Sequence, residues 1–197
     1  MAQTLKIDLH THPFHTLRGQ NGVVGIRDLN KNALRPLVEA ILKSGLNGIA
    51  ITETDDFNWG WVAALQIKEH FPDQGLLILP GREQQFRGQH FLQIYVPEEA
   101  RRRYPFFRDR EWLNILAHPG YYQPLDLAAL AEAQIDFVEE ASLKGGFAAA
   151  QQIIQERGIP AVRASDARSL EEIGSLYMEL EADLKPAGKH RQSLAQG

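Results

Sequence analysis

The chain has 197 residues, 44% of them hydrophobic, which is enough to bury one sizeable core without requiring a second domain. A formal charge of −4 gives no general pull toward nucleic acid or acidic membranes. A small substrate is therefore expected, with no membrane partner and no stable nucleic-acid complex. With no Cys, disulfides and thiolate metal sites are excluded, and any metal ion must be held by imidazole nitrogens and carboxylate oxygens.

The opening residues 1–6 run into a polar, His-bearing strand without the long apolar segment of a signal peptide or membrane span, so a cytoplasmic location is expected. Residues 5–9 read as a strand. Residues 32–43 read as a helix, with Leu34, Leu37, Val38, Ile41 and Leu42 at helical spacing and Gly45 as the stop. The same rhythm continues through a strand at 47–52, a helix at 61–71, and a strand at 76–79 that ends in Pro80-Gly81. Further strands are predicted at 90–96, 113–117, 137–140 and 161–164, helices at 125–133 and 147–157, and a last strand at 175–180. The connection 82–89 is too short for a helix and reads as a hairpin. Strands alternating with helices argue for an α/β barrel of seven or eight mainly parallel strands, in which groups at the C-terminal strand ends carry the chemistry. The barrel domain is expected to span 1–184, followed by a polar, poorly ordered tail at 185–197.

Period-2 alternation puts Asp8, His10 and His12 on one face of the first strand and Ile7 and Leu9 on the other, with Asp8 expected to orient a ligating imidazole. His-x-His alone is balanced between a metal site and a satisfied histidine pair. The other strand ends tip the balance. Glu83 follows Pro80-Gly81, His90 opens the next strand, His118 follows Leu116-Ala117, and Asp166 follows Ala164-Ser165. So many titratable groups at one rim are costly to bury without a metal. Around them, Arg18 is read as an anion contact or a solvated loop residue. Tyr121 and Tyr122 either wall the pocket or pack on the following helix. Phe57, Trp59 and Trp61 form a lid or a helix face, with packing favoured for Trp61. Arg101 to Arg103 read as a solvated face. One of Glu139 and Glu140 is expected to orient a ligand and the other to face solvent, and His70 and His190 read as surface residues.

The motifs Asp-Leu-His-Thr-His at 8–12, Leu-Pro-Gly-Arg-Glu at 79–83, Gly-Gln-His at 88–90, Ala-His-Pro at 117–119 and Ser-Asp-Ala at 165–167 together resemble those of the polymerase and histidinol phosphatase (PHP) family. The resemblance implies a distorted (β/α)7 TIM-like barrel and a cluster of two or three manganese, zinc or iron ions used to hydrolyse phosphoesters. It also implies that His10, His12, Glu83 and Asp166 hold one ion and that Glu83, His90 and His118 hold its neighbour, with Glu83 as the bridge. Two positions depart from the pattern: Thr54 and Arg168 stand where the family has histidines of its third metal site. Arg cannot ligate, and His15 alone hardly retains a third ion, so two divalent ions are expected. Such a pair supplies an activated hydroxide at neutral pH. Asp166 can then relay its proton, and His15 can protonate the leaving group or bind phosphate. Arg168 is read either as a bidentate contact to substrate phosphate or carboxylate, or as a salt bridge to Glu171 or Glu172. The leading expectation is a phosphoesterase for a small phosphorylated metabolite, nucleotide or short oligonucleotide. An amide-cleaving metal hydrolase, and a degenerate binding module without turnover, are the competing readings.

Overall fold

The computed structural model describes residues 4–19 and 22–183, leaving the predicted tail at 185–197 and His190 outside the described residues. Its central feature is one curled, mixed sheet. Strands β1 (Thr4–Thr11), β2 (Gly48–Ile51) and β3 (Leu77–Phe86) run parallel. Strand β4 (Gln89–Tyr95) is antiparallel to β3 and to β5 (Trp112–Ala117), and β5 is parallel to β6 (Phe137–Ser142). The short β7 (Gly145–Gly146) folds back on β6, β8 (Ala161–Arg163) runs parallel to β6, and β9 (Met178–Glu181) lies antiparallel along the first half of β1. Beyond β8, Ala167 bridges to Thr11, and its carbonyl accepts from the His12 amide at 2.7 Å, so the far end of the sheet curls back onto β1.

Strict strand–helix alternation does not hold. The 82–89 connection is a tight β3–β4 hairpin, as its length dictates, and without a crossover helix β4 must run antiparallel. The last strand is antiparallel for a related reason: residues 165–167 lie along the C-terminal half of the edge of β1, and with no crossover helix between them and β9 the chain runs straight back along the N-terminal half.

Three apolar clusters hold the layers together. Leu5, Ile7, Leu9, Leu79, Leu92, Ile94, Ile115 and Val162 fill the inside of the curl. Outside it, Ile49, Ile51 and Ile78 meet α2 (Lys31–Lys43) and α3 (Phe57–His70) through Leu34, Leu37, Ile41, Ala63 and Ile67. On the other flank Leu116 and Val138 meet Phe147 and Ile153, the latter from α6 (Ala148–Arg157); the remaining helices, α1 (Phe14–Leu17), α4 (Glu98–Arg103) and α5 (Leu127–Glu132), are short. Helix α2 starts at Asn30, whose side chain accepts from the amides of Asn32 and Ala33. Helix α3 starts four residues before the apolar periodicity suggests, because Asp56 caps it through the Asn58 amide at 2.9 Å. As a result Trp59, not Trp61, is the core residue: it packs on Phe14 with ring centroids 4.6 Å apart. Trp61 is partly exposed and joins Phe57, Tyr95 and Trp112 in an aromatic cluster on the outer flank. The short helix α4 carries the Arg101 to Arg103 run. There Arg102 pairs with Glu98, and Arg101 is half-buried rather than solvated.

The alternation predicted for β1 is broken by a bulge. Asp8 pairs with Ile49 and Thr11 with Ile51, so three steps of β1 oppose two of β2. Leu5, Ile7 and Leu9 therefore face the inside of the curl with Lys6 and Asp8 on the opposite side, and after the bulge His10 and His12 turn inward as well. The Asp8 carboxylate stabilises this irregularity. One oxygen accepts from the amides of His10 (3.3 Å) and Ser165 (3.0 Å), and the other from Gly174 (3.1 Å). Asp8 thus ties β1 to the chain after β8; it does not orient an imidazole. Burial pushes its carboxyl up to about 6 despite those hydrogen bonds.

Candidate metal centre

The inward parity of each strand delivers one polar group to the same end of the curl. On β3, Leu79 is followed two and four residues later by Gly81 and Glu83; on β4, Ile94 and Leu92 lead back to His90; on β6, Phe137 leads to Glu139. His118 and Asp166 lie just past strand ends with positive φ (29° and 55°), a conformation costing roughly 1–3 kcal/mol in non-glycine residues and concentrated at functional sites. Glu83 is held from both sides by the continuation of β2: its amide donates to Thr52 O (3.1 Å) and its carbonyl accepts from the Asp55 amide (2.7 Å).

All six ligand-type residues expected from the sequence meet here. Glu83 Oε1 is 2.9 Å from His90 Nδ1 and 2.9 Å from His118 Nε2, while its Oε2 is 3.4 Å from His12 Nε2. Asp166 Oδ1 lies 3.4 Å from His12 Nε2 and 3.6 Å from His10 Nε2, and Oδ2 lies 4.0 Å from His118 Nε2. The two Nε2 atoms of His10 and His12 face each other at 3.1 Å. Three overlapping sets, His10–His12–Glu83, His10–His118–Asp166 and Glu83–His90–His118, each bring candidate donor atoms within 4.8 Å of one another.

These residues fit divalent metal ions. Asp166 Oδ1 and His12 Nδ1 are buried without a hydrogen-bond partner, an arrangement expensive to leave unmet in a folded interior. The donors are nitrogen and oxygen only, suited to borderline and hard divalent ions. Protonation states agree. Burial, reinforced by the charge of His10, lowers His12 to about 2, and burial also lowers His118 against the pull of Glu83, so both imidazoles keep free lone pairs at neutral pH. Burial alone would raise Glu83, but hydrogen bonds from His118 and His90, with the imidazoles of His10 and His12 close by, outweigh it and hold the carboxylate well below its usual range.

The group that orients the imidazoles is Glu139, fully buried: Oε1 sits 3.0 Å from His10 Nδ1 and Oε2 accepts from the His118 amide at 2.7 Å. Glu140 is half-buried and lies 3.8 Å from Arg163. Arg168 reaches the site directly, its guanidinium 3.5 Å from Asp166 Oδ1, 3.7 Å from Glu83 Oε2 and 3.3 Å from His15 Nε2. Glu172 instead receives the backbone amides of Arg168 and Ser169. His15 stands at the mouth, edge-on to His12 at 5.8 Å and lowered by burial and by Arg168 and Arg18. Arg18 lies over the Trp59 ring at 4.4 Å. Tyr121 and Tyr122 are half exposed and do wall the site, with the Tyr122 ring 5.3 Å from His90 and 5.1 Å from His118. His70 is half-buried on α3 beside Gln66, 3.1 Å away.

Two residues were not singled out by the sequence. Glu53, rather than Thr54, points toward His15, forming a His12–His15–Glu53 set; it accepts from the Phe14 amide at 2.8 Å, and burial raises it to about 7 against the pull of Phe14, Arg18 and Arg168. His15 is therefore not alone there, since Glu53 and His12 both offer donor atoms beside it. Lys144, in the turn after β6, presses its ammonium against Asp166 Oδ2, and its only signal was a position just past a strand end. Burial, then Arg168, lowers its pKa. A cavity of about 620 Å³ lies elsewhere, at the opposite strand ends beside Leu5, Asn47, Leu77 and Tyr95.

No protein-family model matches the chain, and no curated protein matches it in sequence. Solved structures do match in fold. A two-domain protein from Bacteroides vulgatus, described as containing a predicted PHP-like metal-dependent phosphoesterase, superposes with a TM-score of 0.58 at 18% identity over 86% of this chain and 53% of that one. The chain thus spans about half of that neighbour's length. A Bifidobacterium adolescentis protein, provisionally described as a metal-dependent phosphoesterase, gives a TM-score of 0.55 at 16% identity over 87% of this chain and 90% of that one. An amidohydrolase from Chromobacterium violaceum, solved with sulfate and no metal, gives 0.54 at 13% identity over 91% and 92%. Among the described residues no helix is long and apolar enough to cross a membrane. The chain shares its mixed α/β fold with these solved structures, the first of them described as containing a predicted PHP-like metal-dependent phosphoesterase.

Proposed function

We propose that this chain is a metal-dependent hydrolase of phosphoesters, acting on a small phosphorylated metabolite, nucleotide or short oligonucleotide. The observation that carries the reading is the buried Glu83 carboxylate set among His10, His12, His90 and His118, with the buried Asp166 carboxylate beside it. We read the fold as one distorted (β/α)7 barrel domain of the PHP type and the site as holding two ions, of manganese, zinc or iron, in a cytoplasmic protein.

When bound, the ions supply a water acidified enough to attack at neutral pH and polarise the ester. His10, His12, Glu83 and Asp166 would hold one ion and Glu83, His90 and His118 the other. Glu139 keeps the His10 Nδ1 proton, directing the Nε2 lone pair inward. Asp166 accepts a proton from the attacking water. His15, at the mouth, is placed to bind the phosphoryl group or, when protonated, to pass that proton to the leaving group. Arg168 supplies a fixed charge to the substrate anion, and Arg18 a second, outer one.

The amidohydrolase neighbour favours a second reading, cleavage of an amide at the same centre. Purified protein should carry near two equivalents of transition metal and hydrolyse an aryl phosphate, with both lost in His118→Ala. Turnover of amides but not phosphoesters would select the second reading, and bound metal without any turnover would indicate a binding module.

A further inference from the structure

Lys144 belongs to none of the motifs, yet it is built into the centre. The turn joining β6 to β7 is fixed at two points: the Leu143 amide donates to Ser165 O (3.0 Å), one residue before Asp166, and the Lys144 amide donates to Ser142 Oγ (3.2 Å). The side chain is 17% exposed, and its ammonium is buried between Asp166 Oδ2 and the rings of Tyr121 and Tyr122, whose centroids lie 5.8 and 5.5 Å away. Lysine is almost never buried without a partner. Here the partner is a carboxylate that also belongs to the His10–His118–Asp166 set. An ion held by that set and the Lys144 ammonium are rival claimants on Asp166. Arg168 meets the same carboxylate through its other oxygen, Oδ1, at 3.5 Å.

The charge count indicates what satisfies these cations. Two divalent ions with Lys144 and Arg168 bring six positive charges. Glu83, Glu139, Asp166 and Glu53 bring at most four negative ones. The cations therefore exceed the carboxylates by at least two charges, an excess that a doubly charged anion offsets better than a phosphodiester, with one charge, or an amide, with none. A fixed cation on either side of the carboxylate also matches the separate terminal oxygens of a phosphoryl group.

Resting on the metallohydrolase reading, we propose that Lys144 and Arg168 form a two-sided clamp for the terminal oxygens of a phosphomonoester dianion, making Lys144 a substrate-binding residue that selects monoesters over diesters. The test uses the full chain loaded with manganese, as wild type, Lys144→Met and Lys144→Arg. Orthophosphate is the probe, its affinity read as competitive inhibition and by calorimetry. Aryl phosphate and bis-aryl phosphate turnover are compared, and manganese affinity is measured against a chelator. In Lys144→Met, orthophosphate affinity should fall about tenfold or more, and the monoester-to-diester ratio of kcat/KM should fall with it. Manganese affinity should hold or tighten, because a rival for Asp166 is gone. Lys144→Arg should recover phosphate affinity to within a few-fold. Unchanged phosphate affinity and unchanged ester preference in a folded, manganese-loaded Lys144→Met would overturn the clamp alone. A wild type that takes up no manganese overturns the metallohydrolase reading and the clamp with it.

Discussion

Replacing Glu139 by Gln changes one buried atom and no volume, yet both functions of this side chain depend on its being an acceptor twice over. Oε1 faces His10 Nδ1 at 3.0 Å and Oε2 faces the His118 amide at 2.7 Å. Gln has one oxygen and one NH2. If the oxygen stays on the His118 amide, the NH2 meets His10 Nδ1 and demands a lone pair there, driving the ring proton to Nε2, the atom 3.1 Å from His12 Nε2 that belongs to two of the candidate ligand sets. If the oxygen stays on His10, the buried His118 amide faces another donor. The first outcome should weaken metal binding by about 10–100-fold, equivalent to roughly 1.4–2.8 kcal/mol at about 1.4 kcal/mol per tenfold. The second should lower unfolding free energy by about 1–3 kcal/mol. Chelator-competition titration with zinc or manganese, paired with urea unfolding, separates the two. Metal affinity within twofold of wild type together with unchanged unfolding would refute the assignment of Glu139 as the group that sets the His10 tautomer.

Arg168→Ala should raise KM for an aryl phosphate about tenfold without lowering metal content, measured by steady-state kinetics and elemental analysis; unchanged kinetics would remove Arg168 from substrate binding. Glu53 gives a pH signature. Its folded pKa, about 7, stands above the reference value of 4.5, so its stabilising contribution is full below pH 4.5 and is lost as pH rises through 7. The stability of wild type relative to Glu53→Gln should therefore decline by about 3 kcal/mol across that window, followed by urea unfolding at several pH values; a flat or rising difference contradicts the burial argument. Gly60→Ala should destabilise by about 1–3 kcal/mol despite improved helix propensity, since its Cβ would meet Ile51 O at 2.9 Å and Pro80 Cα at 3.0 Å; a raised Tm would show that α3 can shift off the sheet.

The six ligand-type residues were legible because each follows or opens an apolar strand run, and a strand end fixes where a side chain goes with little help from elsewhere. What sequence could not deliver was whatever depended on an irregularity or on distant partners. Alternation assumes an even pleat, so the extra residue in β1 reversed the role read for Asp8. The start of α3 was set by the Asp56 cap rather than by apolar spacing, which moved Trp61 outward and Trp59 into the core. Helix 98–103 is dominated by charged residues and carries almost no apolar stripe. Glu53 gave no signal as a ligand because the missing histidine falls at the threonine next to it, and Lys144 gave none because a polar turn residue has no periodicity to betray it. The hairpin after β3 was readable from length alone, since 82–89 cannot hold a crossover helix.

The bond between Asp8 and Ser165 joins partners 157 residues apart in the chain. A nascent polypeptide emerging from the ribosome therefore presents His10 and His12 early, but cannot assemble their partners until the segment carrying Asp166 has been made. Closing so long a loop is entropically slow, and it places completion of the ion-holding cluster among the last events of folding. Once loaded, ions that bind only the assembled cluster should act as a latch on that late closure, so that chelation speeds unfolding in proportion to the affinity it removes.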